Sequence, residues 1–324
     1  MNVYIFGVDQ AYASLIVGLM DIFQQAEQQL LEQQQKKLNQ RLNIKLVSID
    51  GKPILCQNGI LLNVHCAVKD IQHADIFIIA AIHDVDTILP KYQFLVDWLK
   101  EQHQKGTTLV SICTGAFLLA ETGLLDGKEA TTHWLLSELF KERYPTIQLK
   151  SEKLIINHDN IFCSAGAGSS TDLAYYLLEK YFGHSLAVKT AKFFVHDFRR
   201  VSQSAYTIYD MKMGHSDTQI LKLQQWIGEH ITESLKIKNL SQIACMSQRT
   251  FERRFKKATG DSPAVYIQRV KVEMTKQQLE TTNLTFDEIS YKMGYKNSGP
   301  FRKIFVKWVS LLPSEYKERF QAYG

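Results

Sequence analysis

One short pattern occurs twice in the C-terminal third of the chain, at a nearly constant offset. Leu240–Met246 returns 49 positions later as Ile289–Tyr295, and Phe251–Phe255 returns 50 positions later as Phe301–Phe305. In each copy an apolar and a small residue on a short helix precede a sharp break and then two Phe at i and i+4, which share one helix face. This spacing predicts two helices that cross at a tight turn around a small core, which is the helix-turn-helix arrangement.

Each predicted second helix is basic on the side away from its Phe pair. The cationic residues are Arg249, Arg253, Arg254, Lys256 and Lys257 in the first copy and Arg302, Lys303 and Lys307 in the second. Residues 215–324 carry 18 Lys and Arg against 11 Asp and Glu, whereas residues 1–214 carry 20 against 22, so the net charge of +5 belongs to the repeat-bearing segment. Such charges either solvate the helices or contact DNA, and the repeat favours DNA.

The first part of the chain alternates β-branched apolar runs with helical patterns. Strands are predicted at 2–8, 44–49, 75–81, 108–112 and 161–165. Helices are predicted at 11–38, 90–104, 114–122, 134–143, 170–182 and 185–198. Breaks at 57–59 and 157–160 predict two hairpin turns. This alternation predicts a flavodoxin-like α/β domain with a parallel sheet and helices on both faces, followed by an all-α domain with two helix-turn-helix motifs.

A chain of 324 residues is long enough for two domains. Residues 201–218 are rich in Ser, Gln, Gly and Asp and have no periodicity, which is typical of an interdomain linker. We therefore predict a first domain over 1–200, a linker over 201–218 and a helical domain over 219–324. The Gln-rich tract at 24–40 keeps several Leu at helical spacing, so it favours a long, mostly solvated helix over a disordered tract.

The cysteines restrict the kinds of site that the chain can form. Five are present, at positions 56, 66, 113, 163 and 245, with no C-x-x-C pair. This spacing indicates neither a disulfide framework nor a zinc site, so we expect no metal and no cofactor. The N-terminus lacks a basic signal region, and the longest apolar run, Ile76–Ile82, is too short for a membrane span. The sequence predicts a cytoplasmic protein with no membrane segment.

One segment of the first domain has the pattern of a reactive site. A β-branched strand, Thr108–Ile112, runs into Cys113-Thr114-Gly115 and then into an apolar helix. This is the layout of a nucleophile elbow, in which a helix N-terminus lowers the pKa of the thiol. His133 follows as a possible imidazole partner. The alternative is a small buried cysteine beside a structural histidine, and no carboxylate follows His133 at triad spacing.

The C-terminal segment from about 218 to 322 resembles the AraC/XylS family DNA-binding domain. The residues that carry the resemblance are Met246–Phe255, Gly260–Pro263 with Tyr266, Ile289–Tyr295 and Pro313–Lys317. The chain departs from the family pattern at Gly299-Pro300, which opens the second recognition helix, and at Ser310, which replaces a common glycine. Since Gly299 offers no side chain to a base, the second motif is expected to contribute more phosphate contact than sequence readout.

Residues 1 to about 200 are similar to the class I glutamine amidotransferase-like (ThiJ/PfpI) domain of one AraC branch. Ile112–Lys128 and Thr131–Trp134 are the local signature. The resemblance implies a homodimeric regulator of promoter DNA, which contacts RNA polymerase if it is an activator. It further implies that the first domain senses a small-molecule effector, such as an amino acid or amine, generally without turnover.

The same resemblance leaves an enzymatic alternative open. Isocyanide hydratases share the Cys-Thr elbow and an acidic residue early in the chain, which Asp21 could match. A pocket of Asp21, Cys113, Thr114 and His133 would then belong to a Cys-dependent hydratase or amidase with a DNA-binding tail. A weaker alternative is a redox-stress protein with an oxidation-prone Cys113.

The predicted DNA contacts fall into three groups. Arg249 and Arg253 are predicted to read base edges, with Lys303 as their counterpart in the second motif. Gln248, Thr250 and Arg302 are secondary candidates for the same role. Lys256, Lys296 and Lys307 are predicted to contact phosphate. The recognition helices are expected at 248–258 and 298–308, joined by a helix from Ser262 to Glu280 and inserted into successive major grooves.

Overall fold

A computed structural model describes residues 1–33, 41–197, 200 and 202–322. The chain divides into two compact units, Met1–Gln203 and Ser204–Gly324. Each unit has its own hydrophobic cores. The predicted linker, 201–218, spans the division, and its described residues from 204 onward belong to the second unit.

The first unit is built on a seven-stranded sheet. Its strands and those of the two small sheets are β1 (Asn2–Phe6), β2 (Asn43–Ser48), β3 (Ile54–Leu55), β4 (Leu61–Leu62), β5 (Cys66–Ala67), β6 (Ile76–Ile79), β7 (Thr108–Ile112), β8 (Glu129–Ala130), β9 (Gln148–Leu149), β10 (Ile155–His158) and β11 (Ile161–Ser164). The order in the main sheet is β10-β11-β7-β6-β1-β2-β5. All its pairs are parallel except β10 with β11, so the mostly parallel sheet is confirmed.

Helices cover both faces of this sheet. They are α1 (Ala13–Gln33), α2 (Val85–Ile88), α3 (Gln93–Gln104), α4 (Gly115–Glu121), α5 (Ser137–Arg143), α6 (Ser169–Phe182) and α7 (His184–Phe193). Side chains alternate along β1, so that Val3 and Ile5 join the core that contains α1, α6 and α7, while Tyr4 and Phe6 join the core that contains α3, α4 and α5. The predicted α/β class is therefore confirmed.

Both predicted hairpin turns are present. The turn at 57–59 joins the antiparallel pair β3–β4, and the break predicted at 157–160 contains the turn at 159–160 that joins β10 to β11. The long N-terminal helix reaches Gln33, and the rest of the Gln-rich tract, residues 34–40, lies outside the described residues. The last helix of this unit ends at Phe193, so its predicted end at 198 is too late.

The second unit is helical throughout its regular structure. Its helices are α8 (Thr218–Glu229), α9 (Ile237–Ile243), α10 (Gln248–Thr259), α11 (Pro263–Thr281), α12 (Phe286–Lys292), α13 (Ser298–Val309) and α14 (Pro313–Phe320). The Phe pairs of α10 and α13 are fully buried, each in a separate core. Helix α11 belongs to both cores, because Val270 packs into the first and Val272 into the second. The two predicted helix-turn-helix motifs are thus joined through one helix.

The turns of the two motifs differ in one residue type but not in backbone conformation. Cys245 (φ 53°) in the first turn and Gly294 (φ 81°) in the second are both left-handed. At Gly294 a Cβ atom would lie 2.6 Å from the Thr232 carbonyl oxygen, so only glycine fits there. The recognition helices also end alike, at left-handed Gly260 and Ser310. A repeat that differs in residue type therefore keeps its backbone geometry.

Candidate functional sites

Cys113 occupies a strained turn between β7 and α4. Its φ is 56°, which is left-handed and uncommon for a residue with a side chain. The turn is fixed on both sides: the Cys113 amide donates to the Ser164 carbonyl oxygen (3.0 Å), and the Cys113 carbonyl accepts from Thr132 Oγ1 (2.9 Å). A Cβ atom on Gly115 would lie 2.6 Å from the Ile79 carbonyl oxygen. The chain therefore forms a nucleophile elbow at the place where the sequence pattern indicated one.

The acidity of the Cys113 thiol is opposite to the sequence-based expectation. Burial raises its pKa to about 11, and hydrogen bonds to Thr114 lower that value only in part. The side chain is 6% exposed, and α4 has only seven residues. The desolvation of a thiolate therefore outweighs the favourable end of the short helix. The prediction of a depressed pKa is wrong, and the thiol is protonated at neutral pH.

Thr114 has a structural task at the elbow. Its hydroxyl donates to the Ile82 carbonyl oxygen at 2.7 Å and lies 2.9 Å from the Ile82 amide, which donates to it. These two hydrogen bonds tie the elbow to the loop that follows β6. The Thr114 side chain is thus already engaged with the backbone.

His133 lies beside the glycine loop that leads into α6. A Cβ atom on Gly166 would be 3.2 Å from His133 Cδ2 and 3.4 Å from Nε2. The Leu135 amide donates to His133 Nδ1 at 3.1 Å, so the neutral ring carries its proton on Nε2. Burial lowers the pKa of His133 and favours this neutral form. Together these contacts leave His133 Nε2 as a hydrogen-bond donor beside Gly166.

The place of Asp21 in the elbow pocket, which the resemblance to hydratases suggested, stays a prediction. Asp21 is exposed on α1, whose buried face carries Leu19, Ile22 and Phe23. No described carboxylate contributes to the pKa of Cys113. The position of Asp21 follows from helical periodicity, which places it one residue before the apolar stripe.

Two buried polar groups near the elbow escaped the sequence analysis. Gln203 is 3% exposed, and its Nε2 donates to the carbonyl oxygens of Thr132 (2.9 Å) and Ser151 (2.7 Å). Within the described residues, Gln203 Oε1 and Ser164 Oγ are buried without a hydrogen-bond partner. Gln203 Oε1 would be 3.7 Å from a Cβ on Gly166, on the same side as His133. Gln203 lies in the segment predicted to be a linker, which has no periodic pattern that would mark it.

The first recognition helix presents several predicted DNA-binding residues to solvent. Arg249, Arg253 and Lys256 are exposed on α10, and no ion pair to them is found among the described residues. Arg254 is different, because it forms a bidentate pair with Asp217 at 2.8 and 3.0 Å. The exposed cations are therefore available to a ligand, whereas Arg254 holds the start of α8.

Two polar candidates on α10 already have partners. Gln248 Nε2 donates to Glu252 Oε1 at 2.8 Å. The Thr250 hydroxyl accepts from Ser247 Oγ at 3.0 Å, and Ser247 caps the helix through the Thr250 amide. A contact of Gln248 with a base requires exchange of this intrahelical bond.

The second recognition helix has a similar division. Lys303 and Lys307 are exposed on α13, and Lys296 is exposed in the turn before it. Arg302 pairs with Asp287 at 2.9 Å and stacks over the Phe286 ring. The Asn297 side chain caps α13 by accepting from the Gly299 amide at 2.8 Å.

No group of three or more His, Cys, Asp or Glu residues among the described residues is arranged to hold a metal ion. None of the helices within the described ranges is long and apolar enough to cross a membrane.

The family models that match the chain divide it as its fold does. The DJ-1/PfpI family model matches residues 3–180, and a helix-turn-helix domain model matches residues 240–319. The chain belongs to the DJ-1/PfpI family. This member also carries an AraC-type helix-turn-helix domain, so the resemblance to an AraC branch is confirmed.

Individual proteins are similar to most of the chain or to a part of it. The HTH-type transcriptional regulator CdhR of Pseudomonas aeruginosa is 28% identical over 272 residues, which cover 83% of this chain and 80% of that protein. The isonitrile hydratase of Pseudomonas putida is 27% identical over 143 residues, which cover 44% and 60% respectively. A crystal structure of an AraC family transcriptional regulator from Pseudomonas putida covers 60% of this chain and 98% of its own, at 17% identity and a TM-score of 0.51, and this likeness concerns the fold alone.

Proposed function

We propose that this DJ-1/PfpI family member is a sequence-specific DNA-binding transcription regulator that senses a small metabolite. The observation that carries the proposal is the pair of helix-turn-helix motifs, each with buried Phe and exposed cations on its second helix. Because one helix, α11, belongs to both cores, the two recognition helices form a single reading unit.

Within this unit the arginines of α10 supply base contacts. Arg249 and Arg253 are exposed four positions apart, so they lie on one face of the helix. Arginine pairs bidentately with the O6 and N7 of guanine. On α13, Lys303 is the counterpart, with Gln248, Thr250 and Arg302 as secondary contacts. Lys256, Lys296 and Lys307 then contact phosphate.

The test begins with selection of binding sites from a random duplex pool. Substitution of Arg253→Ala should cost about 1–3 kcal/mol on the selected duplex and relax one base position. Lys307→Ala should weaken all sequences alike and reduce the salt slope by about 1. Lys105→Ala, in the first unit, is the matched control. It should change neither the affinity for the selected duplex nor the base preference. An unaltered affinity and base preference for Arg253→Ala would exclude the assigned base contact.

The first unit is proposed to bind its effector without chemical turnover. A protonated Cys113 thiol leaves the elbow without an activated nucleophile. The buried Gln203 Oε1 is instead an acceptor without a hydrogen-bond partner among the described residues, and the amide orientation is fixed by the two carbonyl partners of Nε2. An effector with an N–H donor, such as an amino acid or amine, matches this acceptor.

The effector assignment can be tested by screening amino acids and amines for a shift in melting temperature. A compound that stabilises the wild type should lose most of its effect in Gln203→Met, which keeps the side-chain length but has no acceptor oxygen. Gln148→Ala, which removes an exposed amide, is the control. Equal stabilisation of wild type and Gln203→Met would remove Gln203 from the site.

The similarity to an isonitrile hydratase supports hydration at Cys113 as a second candidate. That reaction adds water to an isonitrile and gives an N-substituted formamide. Formation of formamide by the wild type and not by Cys113→Ser would favour the enzyme. We further propose a homodimer, which light scattering of the purified protein would establish or exclude.

A further inference from the structure

Hydrogen bonds connect the elbow to the last residue of the first unit. Thr132 is central, because its hydroxyl donates to the Cys113 carbonyl (2.9 Å) and its own carbonyl accepts from Gln203 Nε2 (2.9 Å). Both Thr132 and Gln203 are almost completely buried. A displacement at the elbow therefore reaches Gln203 through two hydrogen bonds and one residue.

Backbone bonds also hold Gln203 in place. Its amide donates to the Glu152 carbonyl oxygen at 3.0 Å, and Ser202 forms a β-bridge with Lys153. Arg200 donates to the Gly168 carbonyl oxygen at 2.8 Å and forms a bidentate pair with Asp172. The described residues from 200 to 203 are thus attached to the walls of the elbow region.

The next residues along the chain are built into the second unit. Ala205 is 5% exposed and lies in the core of the second helix-turn-helix motif. Tyr206 packs edge-on against Phe320, and the Thr207 carbonyl accepts from Lys276 Nζ. Tyr209 hydrogen-bonds to Asp261 and lies under the guanidinium of Arg269, which is on α11.

Gln203 and Ser204 are consecutive, and each is buried within its own unit. We propose that Gln203 is the positioning residue that couples occupancy of the elbow region to the second helix-turn-helix motif through the peptide link to Ser204–Tyr209. This inference rests on the proposed function, because it assigns the route by which an effector in the first unit would act on the DNA-binding unit.

Gly166 offers a test that requires neither effector nor DNA. Its φ is not in the left-handed range, so Gly166→Ala introduces no backbone strain. The added methyl group would lie 3.2 Å from His133 Cδ2 and 3.7 Å from Gln203 Oε1, so the His133 ring must shift beside Gln203 to accommodate it. Gly18→Ala is the matched control, because nothing lies within 4 Å of its Cβ position.

The readout is hydrogen exchange of the Thr207 and Tyr209 amides in the full chain. These amides donate to the Ser204 carbonyl and to Glu273 Oε2. Gly166→Ala should change their exchange by about tenfold, which is the loss of about one ordinary hydrogen bond. Gly18→Ala should leave it unchanged. In a Gln203→Met background, Gly166→Ala should have no further effect.

Two results would overturn the coupling: unchanged exchange in a cooperatively folding Gly166→Ala protein, or an equal change with and without Gln203→Met. If Gly166→Ala does not fold, Gln203→Met alone should alter exchange at Thr207 relative to Gln148→Ala, and equal exchange in these two variants would also overturn it. Failure of the duplex selection, by contrast, would remove the regulator proposal and leave this measurement unaffected.

Discussion

The reactivity of Cys113 distinguishes a binding pocket from a catalytic or redox site. The perturbation is treatment of the native protein with iodoacetamide at pH 8, which alkylates thiolates and not thiols. Burial raises the pKa of Cys113 from its ordinary value of 9.0 to about 11. That rise corresponds to about 2.7 kcal/mol, or about a hundredfold smaller thiolate fraction at pH 8.

Cys245 provides the internal comparison, because it is exposed in the first helix-turn-helix turn. Peptide mass spectrometry over a time course should show Cys113 labelled at least about a hundredfold more slowly than Cys245. The labelling rate of Cys113 should rise about tenfold with each pH unit between 7 and 10. In guanidinium the difference between the two cysteines should disappear, since unfolding removes the burial.

Two results would contradict a buried, protonated thiol: labelling of Cys113 as fast as that of Cys245 in the folded protein, or a Cys113 rate that levels off below pH 8. Either result would mean that the elbow holds a thiolate near neutral pH. The hydratase and redox interpretations would then gain over the effector pocket. Cys163, fully buried with a pKa also raised to about 11, serves as a structural cysteine of similar expected reactivity.

Three further predictions concern stability. Lys271, a buried ammonium on α11, donates to the carbonyl oxygens of Glu233 (3.1 Å) and Met293 (2.5 Å), so Lys271→Met should lower the free energy of unfolding of the second unit by about 2 kcal/mol in urea titrations. Cys245→Gly should raise the free energy of unfolding of this unit by about 0.5–1 kcal/mol, because glycine adopts the left-handed conformation without strain. A lower free energy of unfolding would contradict strain at Cys245. Burial lowers the pKa of His133, so its contribution to stability is present above pH 6.5 and is lost as the pH falls below that value. Denaturation at pH 7.5 and 5.5 should show a smaller acid loss in His133→Gln than in the wild type.

Much of the fold could be predicted from local patterns, because the helix-turn-helix pattern occurs twice in the sequence. The spacing of the Phe pairs predicted α10 and α13, and the alternation of apolar runs predicted the central strands of the sheet. Strand β5 and the small sheet of β8 and β9 were missed, since two-residue strands carry no periodicity. The elbow at Cys113 was also predicted, because a strand, a reactive residue and a glycine in succession demand a sharp turn.

The sequence by itself determined the two kinds of domain, the duplicated motif and the elbow, because each depends on the spacing of residues that are close along the chain. Tertiary structure alone decided the chemical state of the elbow. Depth of burial sets the pKa of Cys113, and a helix face leaves Asp21 in solvent. It also placed Gln203, from a segment without any pattern, against Thr132, since hydrogen bonds between residues 71 positions apart leave no periodic trace in a sequence.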